Sequence, residues 1–321
     1  MTRTLGRPAG LAVVLATAAI GLAACGASAS PQVAGFGKSG GQRGLRAASA
    51  QSPSASVAID PAYFSPGACV AFPPTAGNRH LTVFLDAGHG GLDPGAVGIT
   101  RAGRVIYEAD QTLPVVLDTM AILRGVGLRV VVSRTGPTTV LRLKAGDVSG
   151  HILTVTGARD DVAARDVCAN LAHADVLVGV YFNAGASSAN AGCITAYDSA
   201  RPFAADNRRL AGLVQSDVLA AMNAQGWQIP DAGVRNDQGL GSSLGPGSLA
   251  YGHLLLLGPA KRDYFSTPSR MPGALVEPLF ITDPFEGSIA ASSRGQRVIA
   301  RGLARAIEQY FAAPGSSMAD G

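Results

Sequence analysis

The residues of this chain that can carry out chemistry are few, and the first of them lie in a glycine-rich loop. The segment Asp86-Ala87-Gly88-His89-Gly90-Gly91 follows an apolar run, and its glycines allow the backbone to approach a ligand closely. Glu108 follows near the predicted start of the next helix, with its carboxylate facing the same sheet edge. Taken alone, a histidine among glycines is more often a turn residue than a ligand. Together, His89 and Glu108 supply half of a tetrahedral metal site.

A further carboxylate lies near the end of the last predicted strand. Leu275-Val276-Glu277 places Glu277 toward the carboxyl end of an apolar run, where a solvated charge has no structural purpose. Beside a metal, such a glutamate can accept a proton from a metal-bound water and pass it to a leaving amine. The structural alternative is an ion pair between Glu277 and an arginine at the sheet end. Glu286 fits a carboxylate at a helix start better than a catalytic residue.

The elements that must position these residues alternate between strands and helices. This pattern begins at residue 81 and predicts an α/β fold, with a largely parallel central sheet flanked by helices on both faces. Strands are predicted at residues 81–85, 128–133, 176–182, 193–197, 253–257 and 274–279, and helices at 107–125, 160–172, 207–225 and 296–311. Ligands of such sheets bind at the carboxyl ends of the strands, which is where His89 and Glu277 are expected.

In its motifs the chain resembles the zinc-dependent N-acetylmuramoyl-L-alanine amidases of bacterial cell walls, which carry a D-P-G-H-G-G segment. The resemblance covers about residues 80–311, with Ala87 in place of the proline. It implies a zinc-amidase fold in which His89 binds zinc. It also implies that Glu108, followed at five residues by Leu113, is the second zinc ligand. Glu277 matches the catalytic glutamate of the family's V-E-x-G-F-x-x-N-x-x-E segment.

The chain departs from this family at one position. The family's third zinc ligand is the histidine of an A-D-x-x-x-S-I-H-A-N-A strand, and Tyr181 stands at that position here. A phenol has an ordinary pKa of about 10 and must lose its proton to bind zinc well. A bound metal can lower that pKa, so His89, Glu108 and Tyr181 are one candidate ligand set. If Tyr181 does not bind, zinc affinity should fall by orders of magnitude.

The other histidines do not replace the missing imidazole. His173 and His253 are predicted at the opposite end of the sheet, and His80 precedes the first strand and points away from the site. His151 lies in an insertion over residues 144–156, which reaches the site only if it folds over it.

The N-terminus has the pattern of an export signal. Arg3 and Arg7 precede an apolar run over residues 9–24 that is too short to span a membrane. The run ends in Leu-Ala-Ala-Cys, which resembles a bacterial lipobox and implies lipidation of Cys25. The alternative is an ordinary signal peptide with an incidental cysteine. A lipidated chain would be anchored to the outer face of the cell membrane and would reach the cell wall.

These features divide the chain into four parts. Residues 1–25 are predicted to be the signal peptide with its lipobox, and residues 26–72 a disordered tether with an irregular lead-in. Residues 73–315 form the predicted amidase-like catalytic domain, and residues 316–321 a disordered tail.

Composition limits the partners and the covalent links of the protein. The chain has 321 residues, of which 47% are hydrophobic, so one sizeable core can form. Its net charge of +4 comes from scattered basic residues, so nucleic acid is not an expected partner. Besides Cys25, the cysteines Cys69, Cys168 and Cys193 would enter an oxidising compartment, where at most one pair can bond within the chain. Cys168 and Cys193 can meet only if the chain returns on itself.

Two functions from different classes follow from the resemblance. The first is a zinc hydrolase that cleaves the amide between the lactyl group of N-acetylmuramic acid and L-alanine, with peptidoglycan as its partner. The second is a catalytically silenced lipoprotein that binds peptidoglycan or regulates a true amidase. Tyr181 favours the second, whereas the retained His89, Glu108 and Glu277 favour the first. Stem-peptide preference, activating partners and oligomeric state stay open, and the hydrolase is the function that we predict.

Overall fold

A mixed sheet of eight strands forms the centre of the protein. The computed structural model describes residues 56–238, 240 and 246–312. Its strands are β1 (Val57–Ala58), β2 (Ala68–Phe72), β3 (Thr82–Ala87), β4 (Val97–Ile99), β5 (Val105–Tyr107), β6 (Arg129–Arg134), β7 (Val148–Ser149), β8 (Ile152–Leu153), β9 (Val176–Val180), β10 (Cys193–Tyr197), β11 (Asp231–Asn236) and β12 (Gly273–Glu277). Its α-helices are α1 (Glu108–Gly125), α2 (Val155–Leu171), α3 (Ala204–Asn223), α4 (Pro246–Tyr251), α5 (Pro284–Ala290) and α6 (Ser293–Ala312).

The directions of the strands create two different sheet edges. The spatial order is β1-β2-β6-β3-β9-β12-β10-β11. β6, β3, β9 and β12 run parallel, so their carboxyl ends lie at one edge, called here the His89 edge. β10 is antiparallel to β12 and parallel to β11, so these two strands end at the opposite edge. The predicted α/β fold with a largely parallel sheet is confirmed.

Alternating side chains build a core on each face of the sheet. Along β3, Val83 and Leu85 pack on one face, and Phe84 packs on the other. Helices α1, α3 and α6 cover the first face, and α2 covers the second. Gly302 lets the backbone of α6 approach α3 closely, since a side chain at this position would overlap Val218. The predicted helices on both faces are therefore confirmed.

The structure differs from the sequence-based predictions at two places. Residues 253–257 were predicted to form a strand, but they form a turn in which Leu254, Leu256 and Leu257 pack on the sheet face. Leu256 occupies the space beside Gly179, so this apolar run covers the sheet instead of joining it. Residues 68–72 were expected to be part of an irregular lead-in, yet they form β2 and pair antiparallel with β6. The strand β11 was not predicted, and neither was the β4–β5 hairpin.

One disulfide ties the early part of the domain to the helix layer. Cys69 of β2 is bonded to Cys168 of α2, with 5.7 Å between their Cα atoms. Cys193 is a buried free thiol, so the Cys168–Cys193 bridge that the sequence left open is not the pair that forms.

Several predictions concern residues outside the described part of the chain. They include the signal peptide, Cys25, most of the tether and the C-terminal tail. Among the helices of residues 56–238 and 246–312, none combines the length and the apolar character needed to cross a bilayer.

Candidate active site

His89 and Glu108 meet at the His89 edge, as the sequence predicted. His89 lies in the loop after β3, and its Nε2 is 3.1 Å from Oε2 of Glu108, the first residue of α1. This Nε2 is buried and has no hydrogen-bond partner. On the other side of the ring, Nδ1 lies 2.7 Å from Oδ2 of Asp93. The imidazole is therefore fixed by one carboxylate and directed at another.

Glu108 is buried at a position that the backbone prepares for a carboxylate. Its Oε1 accepts a hydrogen bond of 2.8 Å from the backbone N–H of Phe182, and its Oε2 accepts one of 2.9 Å from that of Ala96. Residue 95 must be a glycine here, because a Cβ at this position would lie only 2.7–2.8 Å from the His89 and Glu108 side chains. Burial disfavours a charged imidazole, but the carboxylates of Glu108 and Asp93 outweigh it and raise the pKa of His89 to about 10.

These two residues fit two ligand positions of a zinc site. Donor atoms 3.1 Å apart can share one zinc ion at bond lengths of about 2.0–2.2 Å. A buried imidazole nitrogen without a partner is the atom that such an ion would satisfy. Asp93 also acts as the carboxylate that commonly orients a zinc-binding histidine through its other nitrogen.

Tyr181, at the family's third ligand position, has its hydroxyl hydrogen-bonded to Asp86. It directly follows β9, and its ring lies against Gly88 with its centroid 5.3 Å from that of His89. Its hydroxyl donates a hydrogen bond of 2.9 Å to Oδ2 of Asp86. Burial and the Asp86 carboxylate raise the pKa of Tyr181 well above its ordinary value of 10. The phenol is therefore neutral at physiological pH, and it keeps its proton in the hydrogen bond to Asp86.

Two buried arginines that the sequence analysis did not single out hold the His89 loop. Arg165 of α2 pairs with Oδ1 of Asp86 at 2.5 Å and donates to the backbone carbonyls of Ala87 and His89. Arg134 at the end of β6 donates to the carbonyls of Ala87 and Gly88. Arg134 could have been noticed from its place at the carboxyl end of an apolar strand, whereas nothing local marks Arg165.

Glu277 ends β12 at the same edge, as predicted. Its Oε2 accepts a hydrogen bond of 2.7 Å from Nδ2 of Asn183. Burial and the Glu108 carboxylate raise the pKa of Glu277 to about 8, although His89 acts in the opposite direction. Across the described residues, Glu277 forms no salt bridge with an arginine, so the structural alternative for this residue is wrong. The side chain is half-buried.

Glu286 has the structural role expected from its sequence position. It lies in the first turn of α5, whose N-cap is Asp283. Its carboxylate accepts hydrogen bonds from the backbone N–H groups of Gly192 and Phe280. It therefore joins the start of α5 to the loop before β10.

None of the other histidines forms a hydrogen bond or an ion pair with this site among the described residues. His80 and His173 are exposed, and His173 lies between α2 and β9 at the opposite edge. His151 is exposed in the turn between β7 and β8. His253 lies at the opposite edge, as predicted, although not in a strand.

Comparison with known proteins shows two similarities in sequence. Residues 83–309 match the model of the N-acetylmuramoyl-L-alanine amidase family. The uncharacterized protein YqiI of Bacillus subtilis (strain 168) is 27% identical over 231 residues, which cover 72% of this chain and 84% of that protein.

Solved amidase structures share the fold. An N-acetylmuramoyl-L-alanine amidase from Clostridium difficile 630 aligns with a TM-score of 0.50 and 25% identity, covering 73% of this chain and 98% of that one. The CwlD amidase from Clostridioides difficile, solved in complex with the GerS lipoprotein, aligns with a TM-score of 0.54 and 20% identity, covering 72% of this chain and 98% of that one.

Proposed function

The chain belongs to the N-acetylmuramoyl-L-alanine amidase family, and we propose that it hydrolyses the amide between N-acetylmuramic acid and L-alanine in peptidoglycan. The observation that carries the proposal is the approach of His89 Nε2 to Glu108 Oε2, 3.1 Å apart at the edge where Glu277 ends β12. A family motif by itself does not establish activity, but this arrangement keeps two metal ligands and a carboxylate that can transfer the proton.

His89 and Glu108 would hold the metal in this proposal. A zinc ion there supplies Lewis-acid polarisation of the amide carbonyl and of water. Asp93 holds the His89 ring so that Nε2 faces Glu108. Arg165 and Arg134 fix the carbonyls of the His89 loop and thereby keep the imidazole in place. With Tyr181 bonded to Asp86, the protein provides two ligands instead of three.

Glu277 is the residue that moves the proton. Its Oε2 is held by Asn183, while its Oε1 accepts no hydrogen bond from the described residues. A pKa of about 8 lets this carboxylate take a proton from the attacking water and return it to the amine that leaves. Efficient transfer requires such a pKa near the working pH.

The second candidate function is a silenced amidase that binds peptidoglycan, and the Tyr181–Asp86 hydrogen bond favours it. Metal analysis and muropeptide hydrolysis by the full chain distinguish the two. The hydrolase proposal expects zinc to stay bound after equilibration and dialysis, with release of the stem peptide. Absence of both zinc and turnover would overturn it.

The variant Tyr181→His sharpens this test, and Tyr181→Phe is its matched control. If the wild type is silenced, only the histidine variant should gain zinc and activity. If the wild type is active, Tyr181→Phe should keep zinc binding close to the wild-type level, because the phenol is not a ligand in this account.

The place of action follows from the same proposal. The Cys69–Cys168 disulfide fits a protein that folds outside the reducing cytoplasm. Lipidation at Cys25 would anchor the chain to the membrane, and the polar segment up to residue 55 would let the domain reach peptidoglycan. Labelling with a radioactive fatty acid should mark the wild type and not the Cys25→Ser variant.

A further inference from the structure

Two buried carboxylates lie side by side at the edge opposite His89. Strands β10 and β11 are parallel, with Tyr197 paired to Asn236. The next residues, Asp198 and Asp237, therefore share one face of the sheet, and the backbone N–H of Asp237 donates to the carbonyl of Tyr197. Both aspartates are 0% exposed.

His253 completes this cluster from the turn after α4. Its Nδ1 is 2.7 Å from Oδ2 of Asp198 and 3.3 Å from Oδ1 of Asp237. One ligand atom from each of the three residues lies within 4.8 Å of the other two. Asp198 and Asp237 use their other oxygens to accept backbone hydrogen bonds from Ala200 and Leu254. Each carboxylate thus turns one oxygen toward the imidazole and one toward the backbone.

The negative charge of this cluster is not balanced by the described residues. Neither aspartate forms a salt bridge with a lysine or arginine in residues 56–238, 240 and 246–312. Arg201 is close in sequence, but its guanidinium donates to the carbonyls of Leu257, Gly258 and Ser269. Even a protonated His253 neutralises only one of two buried carboxylates. An unpaired buried charge is costly, so a bound cation would stabilise this cluster.

One atom of the cluster points independently to a ligand. Oδ2 of Asp198 is buried and has no hydrogen-bond partner, although it lies 2.7 Å from the His253 nitrogen. The ring N–H is not directed at this oxygen, so a hydrogen bond does not explain the short distance between Nδ1 of His253 and Oδ2 of Asp198. His253 Nδ1 is instead within hydrogen-bond distance of Oδ1 of Asp237, at 3.3 Å, so Oδ2 of Asp198 is the atom that a bound ion would satisfy. Burial and the Asp198 carboxylate also raise the pKa of Asp237.

We propose that Asp198, Asp237 and His253 form a second divalent-cation site, separate from the His89 edge. The imidazole and two carboxylates favour zinc or a similar transition metal over calcium and magnesium, which prefer oxygen ligands alone. The two sites are well separated. Ile194 is the strand partner of Glu277, and Asp198 lies four residues further along the chain, which corresponds to about 13 Å of extended strand. The cation would join the ends of β10 and β11 to the turn after α4.

The test uses the full chain with the first site disabled. In the His89→Ala background, zinc bound per chain is measured by metal analysis after equilibrium dialysis, together with the unfolding temperature with zinc or EDTA. We expect about one zinc per chain and a higher unfolding temperature with zinc. Adding Asp237→Asn should lower zinc affinity by more than about 100-fold, because a direct ligand matters more than a residue that only orients one. Asp160→Asn, at a half-exposed surface aspartate, is the matched control and should leave zinc affinity unchanged.

His253→Gln is the second variant, and it keeps the test decisive if Asp237→Asn does not fold. It should also lose zinc, and its unfolding temperature should no longer differ between zinc and EDTA. The proposal is overturned if the His89→Ala chain binds no zinc, or if a folded Asp237→Asn or His253→Gln chain binds zinc as the parent does. Hydrolysis is not a readout here, so failure of this site is distinguishable from failure of the proposed amidase function.

Discussion

The hydroxyl of Tyr181 donates a hydrogen bond of 2.9 Å to the carboxylate of Asp86. The same carboxylate pairs with the buried guanidinium of Arg165. Tyr181 therefore belongs to the hydrogen-bond network that holds the His89 loop, and its hydroxyl proton is used in the hydrogen bond to Asp86. In the proposed site, His89 and Glu108 bind the metal without the phenol.

Removing the Asp93 carboxylate, which orients His89, should weaken metal binding without removing a metal ligand. Asp93→Asn replaces the carboxylate that contacts Nδ1 at 2.7 Å, so the imidazole loses its fixed orientation and some basicity. Zinc affinity should fall by about 10–100-fold. Competition with a fluorescent chelator measures this change, and Asp110→Asn, an exposed residue of α1, is the control. Equal affinity in the two variants would show that Asp93 does not position the ligand.

Removing the disulfide should destabilise the domain. Cys69 and Cys168 are 99 residues apart, so their bond restricts a long loop of the unfolded chain. The double substitution to alanine should lower the free energy of unfolding by about 2–5 kcal/mol, measured by denaturant titration. Dithiothreitol should destabilise the wild type and leave the double variant unchanged. A response of the double variant to the reductant would contradict this assignment.

Loss of Arg165 should be much more costly than loss of a surface arginine. Arg165→Met leaves the buried carboxylate of Asp86 without its cation, which should reduce the free energy of unfolding by about 3–5 kcal/mol. Arg159→Met breaks the partly exposed pair with Asp160 and should cost no more than about 1 kcal/mol. Equal losses in the two variants would rule out a special role for the buried pair.

Much of the active site could be predicted because its residues follow apolar strands. The runs before His89 and Glu277 are long enough to be recognised, and parallel pairing brings their carboxyl ends together. The first residue of α1 adds Glu108 from a helix with a clear start. These relations depend on local sequence and on one rule of sheet topology.

The opposite edge could not be predicted in this way. β11 contains a glycine and polar residues, so it lacks the apolar signal of a strand. The apolar residues around Leu256 have the sequence pattern of a strand. They are apolar because they cover the sheet face at Gly179. The partner of Cys69 depends on where β2 lies relative to α2, which the sequence of the lead-in does not reveal. Long-range placement decided each of these features.

The raised pKa of Glu277 predicts a pH dependence of stability in the metal-free protein. Its folded-state pKa of about 8 exceeds the ordinary value of 4.5, so the fold binds the proton more tightly than the unfolded chain does. The contribution to stability is therefore full below about pH 4.5 and is lost as the pH rises to about 8.

Glu277→Gln should remove this dependence while keeping an oxygen for Asn183. Between pH 5 and 9 in EDTA, the wild type should lose about 1–3 kcal/mol relative to the variant, a range reduced because the side chain is half-buried. Parallel stability curves for the two proteins would show that the carboxylate is not perturbed.

The most direct measurement of the amidase proposal is cleavage of a muropeptide by the zinc-equilibrated full chain. Mass spectrometry should detect N-acetylmuramic acid and a free peptide that begins with L-alanine. Glu277→Gln should slow the reaction by about 10²–10⁴-fold, because it removes the group that transfers the proton, while zinc stays bound. No cleavage by the wild type, with cleavage restored by Tyr181→His, would contradict the proposal and identify a silenced amidase.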